Sequence, residues 1–210
     1  MKILIAIPSM DPVPAVFCQS LAMLQLTGEC AVAMQVGSLV YDSRDKLAKK
    51  AIEMDADLVF WLDSDMIFEP NVLVDMVKTL EDNNLDFISG VYYRRREPYT
   101  PVLFKEMGMF EGKSWTTEFE EIPTELFEVG ACGFGCVLMR AEMLLSVVSR
   151  FGEMFYPINR AGEDISFCWR ARECGYKLIA DPSIKLGHYS QQIVTKQFYE
   201  AFKGAKNGTN

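Results

Sequence analysis

Histidine is nearly absent: His188 is the only one among 210 residues. None of the six cysteines (Cys18, Cys30, Cys132, Cys136, Cys168, Cys174) forms a CxxC pair. The spacing therefore argues against a structural zinc site, and reduced thiols in a cytoplasm are the economical reading. Basic residues are in deficit, 21 against 29 acidic ones, for a net charge of −8. That balance gives no overall attraction to nucleic acid or anionic lipid, although local patches can override it. No apolar run approaches bilayer length, so no membrane insertion is expected. The opening "MKILIAIPSM" has one Lys and a short apolar run before Pro8, and reads as a first strand rather than a signal peptide. There is no internal repeat, no low-complexity tract and no linker, which predicts one domain over residues 1–200. The polar, Gly-containing end predicts a flexible tail over 201–210. Nothing in the sequence speaks to oligomeric state.

What is present is core material: half the residues are hydrophobic and 12% are aromatic, enough to exclude general disorder. "KILIAIP", "AVAMQVG", "DLVFWL" and "DFISGVYY" read as strands. Helix-compatible segments separate them: Pro14 to Leu26, "SRDKLAKKAIEM" with Asp42 or Ser43 as cap, and "PNVLVDMVKTLED". This alternation predicts an α/β fold with parallel pairing. Residues 94–130 break the pattern with short strand-like pieces such as "TPVLF" and "ELFEVG". "GCVLMR", the helix "AEMLLSVVSR", a helix from Gly162 to Cys174, the strands "YKLIAD" and "IKLGHY", and a terminal helix follow.

The stretch "LVFWLDSDMIFEP" runs a buried strand into two aspartates, Asp63 and Asp65. Ligands of open α/β sheets gather at the carboxyl ends of strands, so a divalent cation bearing a polyanion would explain two like charges there. Three further features bear on that site. Glu163 and Asp164 open a helix, where capping and the helix dipole also account for carboxylates. His188 follows the strand after that helix and is a chemically suitable partner for Mn²⁺ or Mg²⁺. Arg44 begins the helix after the second strand, either facing a diphosphate or as a solvated first-turn residue. "GACGFG" spells G-x-x-G-x-G late in the chain and is not a dinucleotide fingerprint.

Together the ordered elements "IAIPS", "SRDKLAKKAIEMDADLVFWLDSD", "GACGFGCVLMRAEM" and "GEDISFCWRARECGYKLIADPSIKLGH" span residues 3 to 188 and resemble a GT-A-fold glycosyltransferase of the family 2 type. The resemblance implies a mostly parallel central sheet flanked by helices, with a small mixed sheet on the acceptor side. It implies a donor pocket lined by Pro8, Ser9 and Asp11, with Asp42 and Arg44 on the base or diphosphate. Asp63 would lie near the ribose, with Ser64, Gly133 and Glu163 also contacting the nucleotide sugar. Asp65 and His188 would hold Mn²⁺ or Mg²⁺, and Asp164 would be the base of an inverting transfer. The expected donor is a nucleotide diphosphate sugar, UDP-linked by preference, and the activity a hexosyl transfer. Compactness and the absence of a channel point to transfer of a single sugar. Arg94, Arg95 and Arg96 in "VYYRRREPY" are candidate acceptor contacts, for a saccharide, a glycoconjugate or a hydroxymethylated pyrimidine in DNA. The rival readings are a catalytically silent nucleotide-sugar binding module and a nucleotidyltransferase.

Overall fold

A computed structural model describes residues 1–10, 12–37 and 39–191. Asp11, the expected terminal helix and the 201–210 tail lie outside the described residues. The first half alternates as its hydrophobic pattern predicts, with β4 as an unexpected addition: β1 (Lys2–Ser9), α1 (Ala15–Met23), β2 (Glu29–Val36), α2 (Val40–Glu53), β3 (Leu58–Leu62), β4 (Met66–Phe68), α3 (Val72–Asp82) and β5 (Phe87–Val91). Short strands follow, β6 (Leu103–Phe104), β7 (Glu106–Phe110), β8 (Lys113–Thr117), β9 (Phe127–Val129) and β10 (Ala131–Cys132). The chain then forms β11 (Cys136–Arg140), α4 (Glu142–Phe151), α5 (Glu163–Glu173) and β12 (Leu178–His188).

The main sheet has the order β2-β1-β3-β11-β5-β12-β4, with β9 also on β12. β2, β1, β3, β5 and β12 point one way, and β11 runs antiparallel between β3 and β5. Period-two alternation splits each strand between two cores. Ile3, Ile5 and Ile7 face Phe17 of α1 and Leu73 and Met76 of α3, while Leu4 and Ala6 face Leu47 and Ala51 of α2 and Phe167 of α5. Helices therefore cover both faces, as a parallel sheet requires. No helix among the described residues is long and apolar enough to cross a membrane.

Three local expectations change. α2 starts at Val40 behind Leu39, so Asp42 lies in its first turn and Ser43 is buried; neither is the cap. The two strands expected after α5 are one strand, β12, with a register shift between Asp181 and Lys185. Asp181 Oδ1 accepts from the Ser183 amide (2.8 Å) and hydroxyl (2.6 Å), which replaces ladder bonds at the bend around Pro182. In place of one small mixed sheet there are two antiparallel pairs, β6 with β10 and β7 with β8.

Candidate active site

The direction of β11 assembles the site. Because it runs antiparallel to β3, its first residue, Cys136, pairs with the last, Leu62. The glycine-rich loop before β11 thus arrives at the carboxyl end of β3, where the Gly135 carbonyl accepts the Asp63 amide at 3.0 Å. Asp63 to Met66 is a tight turn closed by Met66 N–H to Asp63 O (3.1 Å), and Asp is favoured at its first position. β12, after its bend, crosses the same edge and pairs His188 with Met66. The Tyr189 amide donates to Asp65 O at 2.8 Å.

The turn sends its two carboxylates to different partners, which answers their mutual repulsion. Asp65 Oδ2 lies 2.8 Å from Arg95 Nη1 and 3.5 Å from His188 Nε2. His188 Nδ1 is 2.8 Å from the Tyr93 carbonyl, which can only accept, so Nδ1 carries hydrogen and Nε2 faces Asp65. Burial opposes charge on both groups, yet their contact raises the His188 pKa and lowers that of Asp65.

Asp63 turns to Arg44, whose Nη2 lies 2.7 Å away, while Arg44 Nε donates to Glu163 at 3.1 Å. Arg44 is only 2% exposed and lies over the rings of Trp61 and Phe134. It is not a solvated residue. It clamps the end of β3 to the start of α5. Desolvation works against its charge, but Asp63, Glu163 and Asp164 outweigh it and hold the pKa above the ordinary value. Desolvation in turn raises the Asp63 pKa, against the pull of Arg44.

Asp164 is the second residue of α5. Burial, and then the neighbouring charge of Glu163, push its pKa up to about 7, against the Ile165 amide (2.7 Å to Oδ1) and Arg44. Gly162 is the helix cap, and a Cβ there would fall 2.6 Å from Asp164 Oδ1. Glycine gives this carboxyl its room.

The remaining candidates divide. Pro8 and Ser9 are buried at the end of β1, and Ser64 is half-buried in the aspartate turn. Asp42 is not brought to this site by its contacts: it pairs with Lys46 (2.7 Å) on the exposed side of α2, about 200° around the helix from Arg44. Gly133 is buried and serves packing, since a Cβ there would lie 2.1 Å from Tyr92 Oη. Arg94 pairs with Glu118 (3.7 Å), and Arg96 is exposed. Two participants escaped the sequence reading. Tyr92 is buried, accepts the Gly135 amide at 3.2 Å and sets its ring edge-on to His188. The Tyr93 carbonyl orients the imidazole. Their signal was the pair of tyrosines just after β5, read above only as the end of a strand.

Residues 46–147 match the family model for glycosyl transferase family 2. The chain has the GT-A fold, and just under half of it resembles glycosyl transferase family 2. The matched segment carries Asp63, Asp65 and the glycine-rich loop, while Asp164 and His188 lie beyond it. The chain also superposes on the crystal structure of A197 from STIV, with a TM-score of 0.65, 21% identity, and 91% of this chain and 87% of that one covered. GalNAc-T7, solved with UDP, GalNAc and Mn²⁺, superposes with a TM-score of 0.61 and 11% identity, again over 91% of this chain. The chain spans 43% of GalNAc-T7. No curated protein matches it in sequence.

Proposed function

We propose that residues 1–200 form one domain that moves a single sugar, with inversion, from a nucleotide diphosphate sugar to an acceptor hydroxyl. The observation that carries this reading is the pairing, at one sheet edge, of Asp65 and an oriented His188 with a carboxyl of pKa about 7 on Asp164. Among the described residues no three His, Cys, Asp or Glu side chains form a complete metal cage. Two donors nevertheless fit a divalent cation whose other ligands come from phosphate, and the imidazole nitrogen favours Mn²⁺. The backbone bond from Nδ1 to Tyr93 is the outer contact that orients a ligating histidine. A cation held by Asp65 and His188 would offset the charge that develops on the departing diphosphate.

The chain's own residues do the rest. Arg44 holds Asp63 for the nucleotide half of the donor and fixes α5 through Glu163. Asp164, whose raised pKa makes it a stronger base than an ordinary carboxylate, accepts the acceptor's proton as the new bond forms. GalNAc-T7, with which the fold is shared, was solved with UDP, which favours a uridine donor here. A saccharide or glycoconjugate is the favoured acceptor. DNA loses ground because Arg94 and Arg95 are engaged by Glu118 and Asp65. The six cysteines are free, which suits a cytoplasmic location.

The test is a panel of nucleotide sugars with and without Mn²⁺, saccharide acceptors and hydroxymethylated DNA. Release of nucleoside diphosphate only with Mn²⁺, lost in Asp65→Ala, is the expected outcome. Binding without release would favour the silent module, and pyrophosphate release would favour nucleotidyl transfer.

A further inference from the structure

We propose that Arg95 occupies Asp65 in the free protein and passes to the donor's diphosphate when a divalent cation takes that carboxylate. The inference rests on the metal site proposed above and concerns a residue otherwise assigned to the acceptor. Arg95 Nη1 lies 2.8 Å from Asp65 Oδ2, the same oxygen that faces His188 Nε2 at 3.5 Å. A cation shared by Asp65 and His188 would compete with Arg95 for the Asp65 carboxylate. Guanidinium keeps its charge at every accessible pH, so it cannot yield by deprotonating. A dication and a guanidinium on one carboxylate repel each other strongly in a partly buried site.

The surroundings make an exchange by side-chain rotation feasible. Arg95 is half exposed. Its loop is tied at both ends, by the Tyr93–Pro101 bridge, Arg94 N–H to Thr100 O (3.0 Å) and Tyr99 N–H to Arg96 O (2.9 Å). The backbone can therefore stay while the side chain swings. Arg94, its neighbour, points to Glu118 and leaves Arg95 as the arginine on the aspartate turn. A displaced guanidinium needs a new anion, and the one arriving with the cation is a diphosphate, whose oxygens match its planar fork. Arg95 would then neutralise leaving-group charge beside the cation.

Calorimetric titration of the whole protein separates this from an idle surface ion pair. Mn²⁺ is titrated without nucleotide into the wild type, Arg95→Ala and Asp65→Asn, and UDP is then titrated at saturating Mn²⁺. Arg95→Ala, at an exposed position, is checked for an unchanged melting curve. The expected result is Mn²⁺ binding several-fold tighter in Arg95→Ala, with UDP binding roughly 10-fold weaker from loss of a charge-assisted contact. Mn²⁺ affinity equal to or below wild type in Arg95→Ala, or unchanged UDP affinity, overturns the exchange. If Asp65→Asn still abolishes Mn²⁺ binding in that case, the metal site stands and only the role of Arg95 falls. No Mn²⁺ binding by either wild type or Arg95→Ala defeats both.

Discussion

Asp164 is half-buried at the start of α5, and its pKa of about 7 has consequences of two signs. The ionised form is the base, so kcat/KM should climb with pH through about 7 and level off above it. Stability runs the other way. The folded-state pKa exceeds the unfolded one, about 3.9, so between the two the folded state binds the extra proton and stability falls as pH rises. Asp164→Asn removes both effects. Transfer should drop by roughly 10²–10⁴-fold, while the melting temperature relative to wild type should be higher at pH 8 than at pH 5. A melting difference independent of pH would place the carboxyl in solvent. Arg44 makes the opposite demand, since two carboxylates depend on it. Arg44→Ala leaves Asp63 and Glu163 unpaired beside a buried gap and should cost roughly 3–5 kcal/mol in urea unfolding at pH 7. Arg44→Lys keeps the charge but cannot span both partners, and should fall between Arg44→Ala and wild type.

At the scale of elements, the loop from Gly130 to Gly135 owes its glycines to close approach. A Cβ on Gly130 would press the Glu106 backbone at 2.7 Å, and one on Gly133 or Gly135 would press Tyr92. The Tyr92 ring is pinned by the Gly135 amide on its hydroxyl and by His188 at its edge, so it cannot easily give way. Gly133→Ala should therefore destabilise by about 1–3 kcal/mol and lower activity by shifting the Gly135 carbonyl that anchors Asp63. Adding Tyr92→Phe deletes the nearest clashing atom and should recover part of the stability. A double variant no better than Gly133→Ala would show the strain lies elsewhere, against Val102. The glycines themselves were plain in the sequence. Their purpose was not, because the atoms they accommodate come from Tyr92, just after β5, and from the segment around Glu106, tens of residues away.

For the whole molecule, the site is a meeting of β3, β5, α2, α5 and β12 at one sheet edge, so a ligand that bridges them should stabilise the fold as a unit. In saturating Mn²⁺, UDP at about 100 times its dissociation constant adds about 2.7 kcal/mol by linkage. For a chain of this length that is a rise in melting temperature of roughly 5–10 °C. Thermal scans should show the rise in wild type and lose it in Asp65→Ala. An equal rise in the variant would place the nucleotide away from the aspartate turn.

The sequence by itself determined the alternating elements, because periodicity is a local property of the chain, and it singled out Asp65, His188 and Asp164 as candidates. It could not determine which way Arg44 points. Position at a helix start is compatible with solvent, with a diphosphate or with a buried clamp, and only the packing of α2 beneath Trp61, Phe134 and Glu163 chose the clamp. The same holds for Asp42, two residues earlier and turned to the opposite side, and for β12, whose two apolar pieces join only because Asp181 bonds locally while β5 and β4 pair on either side of the bend. Spacing along the chain limits what each residue can do. Which partner it meets is decided by strand order, and the antiparallel insertion of β11 and the crossing of β12 are facts of the sheet alone.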